Sequence, residues 1–132
     1  EHVYDLQKDL KKITSILKED GVMIVAVPNR NSYDAKKYKE FWAAYDLPIH
    51  LYHFVPNDIR LLFGQFNMEV KEILPMKFDS YYVSMLSEKY NGGNIISAFF
   101  TGLKSNMKAN SETYSSQIYI LKKKTNTHEF TC

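Results

Sequence analysis

Apolar residues in the first part of the chain return at alternating three- and four-residue steps. Val3, Leu6, Leu10, Ile13 and Leu17 form one stripe, with Lys8, Lys11, Lys12 and Glu19 off it. That is the spacing of an amphipathic helix, and Gly21 supplies its stop. Residues 22–27 are then six apolar side chains in a row, ended by Pro28. A run of that length without alternation predicts a strand buried on both faces, in a sheet covered by helices.

Beyond Asn29 the pattern loosens. Residues 35–45 predict a short helix with Tyr38, Phe41, Trp42 and Tyr45 on one side. Asp46-Leu47-Pro48-Ile49 reads as a turn, because Pro48 cannot continue a helix. Pro56-Asn57-Asp58 opens a helix carrying Ile59, Leu62, Phe63 and Phe66, with Asn67 as its stop. Residues 68–74 alternate in part and read as a strand with one wetter face. Asp79 starts a helix reaching Leu86 or Tyr90, Asn91-Gly92-Gly93 breaks it, and a second helix covers 95–107. A polar loop follows at 108–113. Residues 114–122 alternate as a strand, and 123–132 read as a frayed tail. The expectation is an α/β domain: three strands in a mixed sheet with helices packed on it.

Composition narrows the function classes. The 132 residues suffice for one core, and their hydrophobic content of 45% is ordinary. A net charge of +2 gives no ground for nucleic acid or an anionic membrane as partner. No stretch approaches the ~20 apolar residues of a membrane span. The single cysteine, Cys132, rules out an internal disulfide and points to a reducing, cytoplasmic setting. The first residue is Glu1, not Met, so an upstream segment is expected to precede it.

Chemistry concentrates in the middle of the chain. His50 and His53 lie three apart beside Asp46. As metal ligands they need a further partner, and the neighbouring sequence offers only Asp46 or Asp58, so no metal site is assigned. They can also be structural, tying a loop to backbone, or can face a substrate. Imidazole titrates near neutral pH, which suits proton removal from a hydroxyl or amine. Of the two, His50 is preferred as base because it directly follows the Pro48 turn. Asn29, Arg30, Asn31 and Tyr33 follow the first strand at its carboxyl end, where ligands of open α/β sheets gather. A plain polar turn after Pro28 accounts for them slightly better. Phe41, Trp42, Tyr45, Tyr52 and Phe54 either line a pocket or fill core. Lys122-Lys123-Lys124 reads as a solvated terminus.

Three passages resemble one family. Glu1-His2-Val3 resembles the Leu-Glu-His segment after the fourth strand of ubiquinone-biosynthesis-like, class I S-adenosylmethionine-dependent methyltransferases. Residues 17–29, Leu-Lys-Glu-Asp-Gly-Val-Met-Ile-Val-Ala-Val-Pro-Asn, resemble that family's Leu-Lys-Pro-Gly-Gly … Val-Pro-Asn passage, with Glu19-Asp20 replacing its Pro-Gly pair. Asp46-Leu47-Pro48-Ile49-His50-Leu51-Tyr52-His53-Phe54 is similar to a subgroup's Asp-x-Pro-x-His-Leu-x-His-Phe.

The resemblance covers residues 1–122 and implies the carboxy-terminal part of a Rossmann-like methyltransferase domain. It implies strands five, six and seven of a sheet whose seventh strand lies between the fifth and sixth and runs against them. The glycine loop and ribose-binding acid that hold S-adenosylmethionine fall upstream of Glu1 in this reading. Glu1 and His2 are then only proximal to the cofactor, and the chain alone is expected neither to bind it well nor to catalyse. His50 becomes the candidate base, with Asn29, Tyr33, Trp42, Asp46 and His53 on the side of a small-molecule substrate. Strand 22–27 loses its inner neighbour and leaves an apolar edge, so self-association, as a dimer, is expected there. The competing function is a non-catalytic interaction or oligomerisation module derived from the same fold.

Overall fold

The structure, a computed structural model, describes residues 1–125. Among the described residues, five α-helices and three strands follow one another. The helices are α1 (Leu6–Ile16), α2 (Tyr33–Tyr38), α3 (Pro56–Gly64), α4 (Asp79–Tyr90) and α5 (Ile95–Lys108). The strands are β1 (Val22–Pro28), β2 (Met68–Pro75) and β3 (Ser116–Lys123), in the spatial order β1-β3-β2. β3 reaches Lys123, and the Lys124 amide donates to the Asn67 carbonyl. The remainder of the expected tail, 126–132, lies outside the described residues. None of the described helices is long and apolar enough to cross a membrane.

Both ladders are antiparallel: Ile24 pairs with Ile120 and Ala26 with Ile118, while Ile73 pairs with Tyr119. β1 and β2 therefore run the same way without touching. The expected mixed sheet is corrected to one with no parallel ladder among its described strands, because the strand between the two co-directional ones opposes both. A bulge between Val70 and Glu72 interrupts the β2 ladder.

The sheet is covered on one face only. Leu10 of α1 and Ile59 and Phe63 of α3 pack with Val27, Met68, Tyr119 and Leu121 in the first hydrophobic cluster. The opposite face of β1 stays open, with Val22 46% and Ile24 67% exposed. The expected burial of residues 22–27 on both faces is thus corrected. α4 and α5 form an antiparallel pair that packs mainly on itself and on the α2 region, with Ser116 of β3 donating to Asp79 of α4. A second cluster there joins Ala35, Tyr38, Trp42, Ala43, Ala44 and Val83.

Local chemistry explains the helix ends. Asp5 accepts from the Lys8 amide at 3.0 Å, Ser32 from Ala35 at 3.2 Å and Asn94 from Ser97 at 2.9 Å, each filling a donor the helix cannot satisfy itself. α2 is shorter than the predicted helix over 35–45. It stops at Lys39, whose backbone is at φ 51° and ψ −124°, and two 3₁₀ turns follow. α4 and α5 approach closely at Gly102, where a Cβ would sit 2.9 Å from the Tyr81 Cα. Only glycine permits that contact.

Between the two clusters lies a seam of buried polar groups. Asp34, fully buried, accepts from Trp42 Nε1 at 2.8 Å, Ser105 Oγ at 2.6 Å and Ser115 Oγ at 2.7 Å. Gln117 Oε1 accepts from Tyr119 Oη at 3.0 Å and from Asn29 Nδ2 at 3.2 Å.

Glu88, 6% exposed, accepts from Tyr38 Oη at 2.9 Å and Ser97 Oγ at 2.5 Å, with Lys37 Nζ at 3.6 Å. Burial alone would raise its carboxyl, but the hydrogen bonds from Ser97 and Tyr38 and the charge of Lys37 outweigh it. The group is held below the ordinary 4.5. Burial is also the main reason the Tyr38 hydroxyl is pushed up to about 12. A carboxyl depressed on folding stabilises above its unfolded pKa, and that contribution is lost as pH falls through the folded value. Glu88→Gln is therefore expected to flatten the fall in denaturation midpoint below about pH 4.5. Equal acid limbs in the two proteins would contradict this role.

Candidate functional site

The site forms where β1 ends. Pro28 closes the strand, and the Asn29 amide donates to the Ser115 carbonyl at 2.8 Å. Residues 43–54 return across this end, so that the Arg30 amide reaches the Phe54 carbonyl at 3.1 Å. The crossing segment turns at Asp46, which is left-handed at φ 39° and ψ 48°, a conformation Asp tolerates better than most residues. Its carbonyl accepts from the amides of Ile49 at 2.8 Å and His50 at 3.0 Å, with a cis Leu47–Pro48 peptide inside the turn.

His50 is fixed by its own ring. Nδ1 donates to the Ala44 carbonyl at 2.9 Å, an acceptor-only group that fixes the orientation of the ring. Nε2 faces carboxylates: Glu1 Oε1 at 3.7 Å and Asp46 Oδ2 at 3.9 Å. The N-terminal segment is brought alongside by the Leu51 amide donating to the Glu1 carbonyl at 2.8 Å. His2 follows, its ring edge-on to His50 with centroids 4.6 Å apart.

His53 is turned away from this group. Its Nε2 donates to the Tyr45 carbonyl at 2.9 Å, and its ring meets Tyr45 edge-on at 5.0 Å. The His50 and His53 centroids are 6.4 Å apart.

A cavity of about 320 Å³ opens beside His50 and Asp46, walled by Pro28, Ala43, Ala44 and the facing side of α4. Asp79, Tyr82, Val83, Leu86 and Tyr90 of that helix line it. Their spacing of three or four residues is that of one helical face. A second hollow of about 250 Å³ follows the free edge of β1. Leu6 and Ile13 of α1, Met23 and Val25 of β1 and Leu62 of α3 make it almost wholly apolar.

The structure thus brings together four of the residues singled out from sequence: Glu1, His2, Asp46 and His50. Asn29 and Trp42 are placed elsewhere. Trp42 is 2% exposed and bonded to Asp34. Asn29 is 1% exposed, and its amide group serves the backbone carbonyls of Glu112 and Tyr114 as well as Gln117. Tyr33 lies under two cations, Lys104 Nζ at 5.5 Å and Lys108 Nζ at 4.9 Å from its centroid. Tyr82 and Tyr90 were not singled out as lining residues. Their period with Asp79, Val83 and Leu86 was the available signal, but it reads equally as packing.

No protein-family model matches the chain, and neither does any curated protein. The functional reading accordingly rests on the residues and their arrangement.

Proposed function

We propose that the chain forms the substrate-side half of an S-adenosylmethionine-dependent methyltransferase that acts on a small molecule. The observation that carries the reading is the placement of His50. Its ring, oriented by the Ala44 carbonyl, lines a cavity beside Pro28 at the carboxyl end of β1, where α/β sheets hold their ligands. The strand order supports it too: β3 lies between β1 and β2 and opposes both, the relation the resemblance implies for strands five, seven and six of a Rossmann-like sheet.

The cofactor itself does not fit the residues present. Gly21 precedes β1, Gly64 ends α3, Gly92 and Gly93 join α4 to α5, and Gly102 lies inside α5. None follows a strand end, so no backbone loop here cradles the methionine or ribose part. S-adenosylmethionine supplies an electrophilic methyl group when bound; the work of this chain is on the acceptor. The cavity wall of Pro28, Leu86, Tyr82 and Tyr90 holds the substrate's apolar body. His50 Nε2 takes the proton that a hydroxyl or amine must lose. Holding the acceptor in line is the larger contribution in such reactions.

Calorimetry tests the reading. The 132-residue chain is expected to bind S-adenosylhomocysteine no tighter than about millimolar, a few kcal/mol at most. The complete protein encoding this chain is expected to bind it in the micromolar range. Micromolar binding by the 132-residue chain, or none by the complete protein, would overturn the proposal. The competing reading, an oligomerisation module, is favoured by one feature: the bare apolar edge and face of β1. We propose self-association there in either case.

A further inference from the structure

The sequence near His50 offers only Asp46 and Asp58 as additional metal ligands, but the fold supplies others from the opposite end of the domain. One ligating atom each from Glu1, His2 and His50 lies within 4.8 Å of the other two. Glu1 Oε1 is central, 3.6 Å from His2 Nε2 and 3.7 Å from His50 Nε2. These separations are too long for hydrogen bonds. They fall close to the ~3.3 Å that separates ligands arranged tetrahedrally at ~2.0–2.1 Å from zinc. The His2 side chain, 58% exposed, has the freedom to close the set, whose atoms lie within 4.8 Å of one another.

The surroundings also suit an ion. His50 Nδ1 donates to the Ala44 carbonyl at 2.9 Å, the outer-shell bond that orients a metal-binding imidazole and leaves Nε2 as its donor atom. Glu1 is held by its own carbonyl, which accepts from the Leu51 amide at 2.8 Å. Asp46 Oδ2, 3.9 Å from His50 Nε2, adds a second negative charge next to the centre. Two imidazoles and one carboxylate with an open fourth position favour a borderline first-row ion over calcium or magnesium, which prefer all-oxygen sets.

We propose that Glu1, His2 and His50 form a binding site for a divalent zinc-like ion. The site does not rest on the methyltransferase reading; His50 Nε2 serves as base only in the metal-free chain, since a nitrogen bound to metal takes no proton.

Titration with Co²⁺, followed by its visible absorption and by calorimetry, and competition with Zn²⁺ test this. The expected result is one equivalent bound, with the absorption intensity of four-coordinate rather than aqueous Co²⁺. His2→Ala and Glu1→Gln alter positions outside the core, and circular dichroism reports whether each variant keeps the fold. Each is expected to weaken Zn²⁺ by at least about 100-fold, since loss of an outer-shell partner alone costs ~10–100-fold. Acetylating the α-amine separates the proposed ligand set from chelation by that amine with His2. Retained affinity after acetylation supports the site, and lost affinity overturns it. Binding weaker than about millimolar, or affinity unchanged in both variants, also overturns it. S-adenosylhomocysteine binding by the complete protein does not enter these readouts, so either proposal can fail alone.

Discussion

Asp34→Ala is expected to remove a large part of the protein's folding stability. The carboxylate is inaccessible and collects three donors: the Trp42 indole, Ser105 from α5 and Ser115 ahead of β3. These come from three separate stretches of chain, so one side chain ties α2, α5 and the entry to the central strand. Its removal strands three buried donors at ~1–3 kcal/mol each, without strict additivity. A loss of about 3–6 kcal/mol is comparable to the ~5–15 kcal/mol that holds small domains folded. Chemical denaturation followed by circular dichroism measures it. Trp42→Phe deletes one donor and leaves the carboxylate its two serines, so its loss should be the smaller. A midpoint for Asp34→Ala within about 1 kcal/mol of the parent would show that the seam contributes no more than an ordinary surface contact.

The second large effect is on assembly. β1 is hydrogen-bonded on one side only, by β3. Its bare face presents Val22 and Ile24, and α1 adds Ile16 at 75% exposure. Neither a charge nor an interior proline guards the strand, the devices by which edges usually resist pairing. The protein is expected to sediment as a dimer or larger at micromolar concentration. Ile24→Lys should return it to monomer with its circular dichroism intact, because two copies meeting through this region bring the new cations together. Like charges across an interface cost several kcal/mol, which corresponds to about 100-fold or more in association. A parent that sediments as a monodisperse monomer refutes the idea, whatever the variant does.

The strand positions were legible because periodicity reports them directly. Residues 22–27 and 68–74 fall within β1 and β2, and 114–122 overlaps β3 but starts two residues early. What the run at 22–27 could not reveal is which faces have cover. Six apolar residues look the same whether helices lie on both sides or, as here, on one.

The predicted helix over 35–45 failed for a related reason. In a continuous helix, residues eight apart lie ~12 Å from each other along the axis. Trp42 nevertheless bonds to Asp34, so the chain must break between them, and it does so at Lys39. The pull of a buried carboxylate on an indole leaves no mark in hydrophobic spacing. The meeting of Glu1 and His2 with His50 was equally invisible. It depends on one backbone hydrogen bond, from Leu51 to Glu1, between segments far apart in sequence. His50 itself was identifiable, since its position after the Pro48 turn set it apart from His53.

The polar seam bears on how stability varies with temperature. Unfolding apolar surface into water raises the heat capacity, whereas unfolding polar surface lowers it. Asn29, Ser32, Asp34, Ser80, Ser105, Ser115, Ser116 and Gln117 are all buried here, while Ile24, Phe99 and Phe100 stay largely exposed in the folded chain. Both features reduce the heat-capacity change on melting. The free-energy curve of this domain is expected to be correspondingly less curved, with calorimetry reporting a small heat-capacity step for its length.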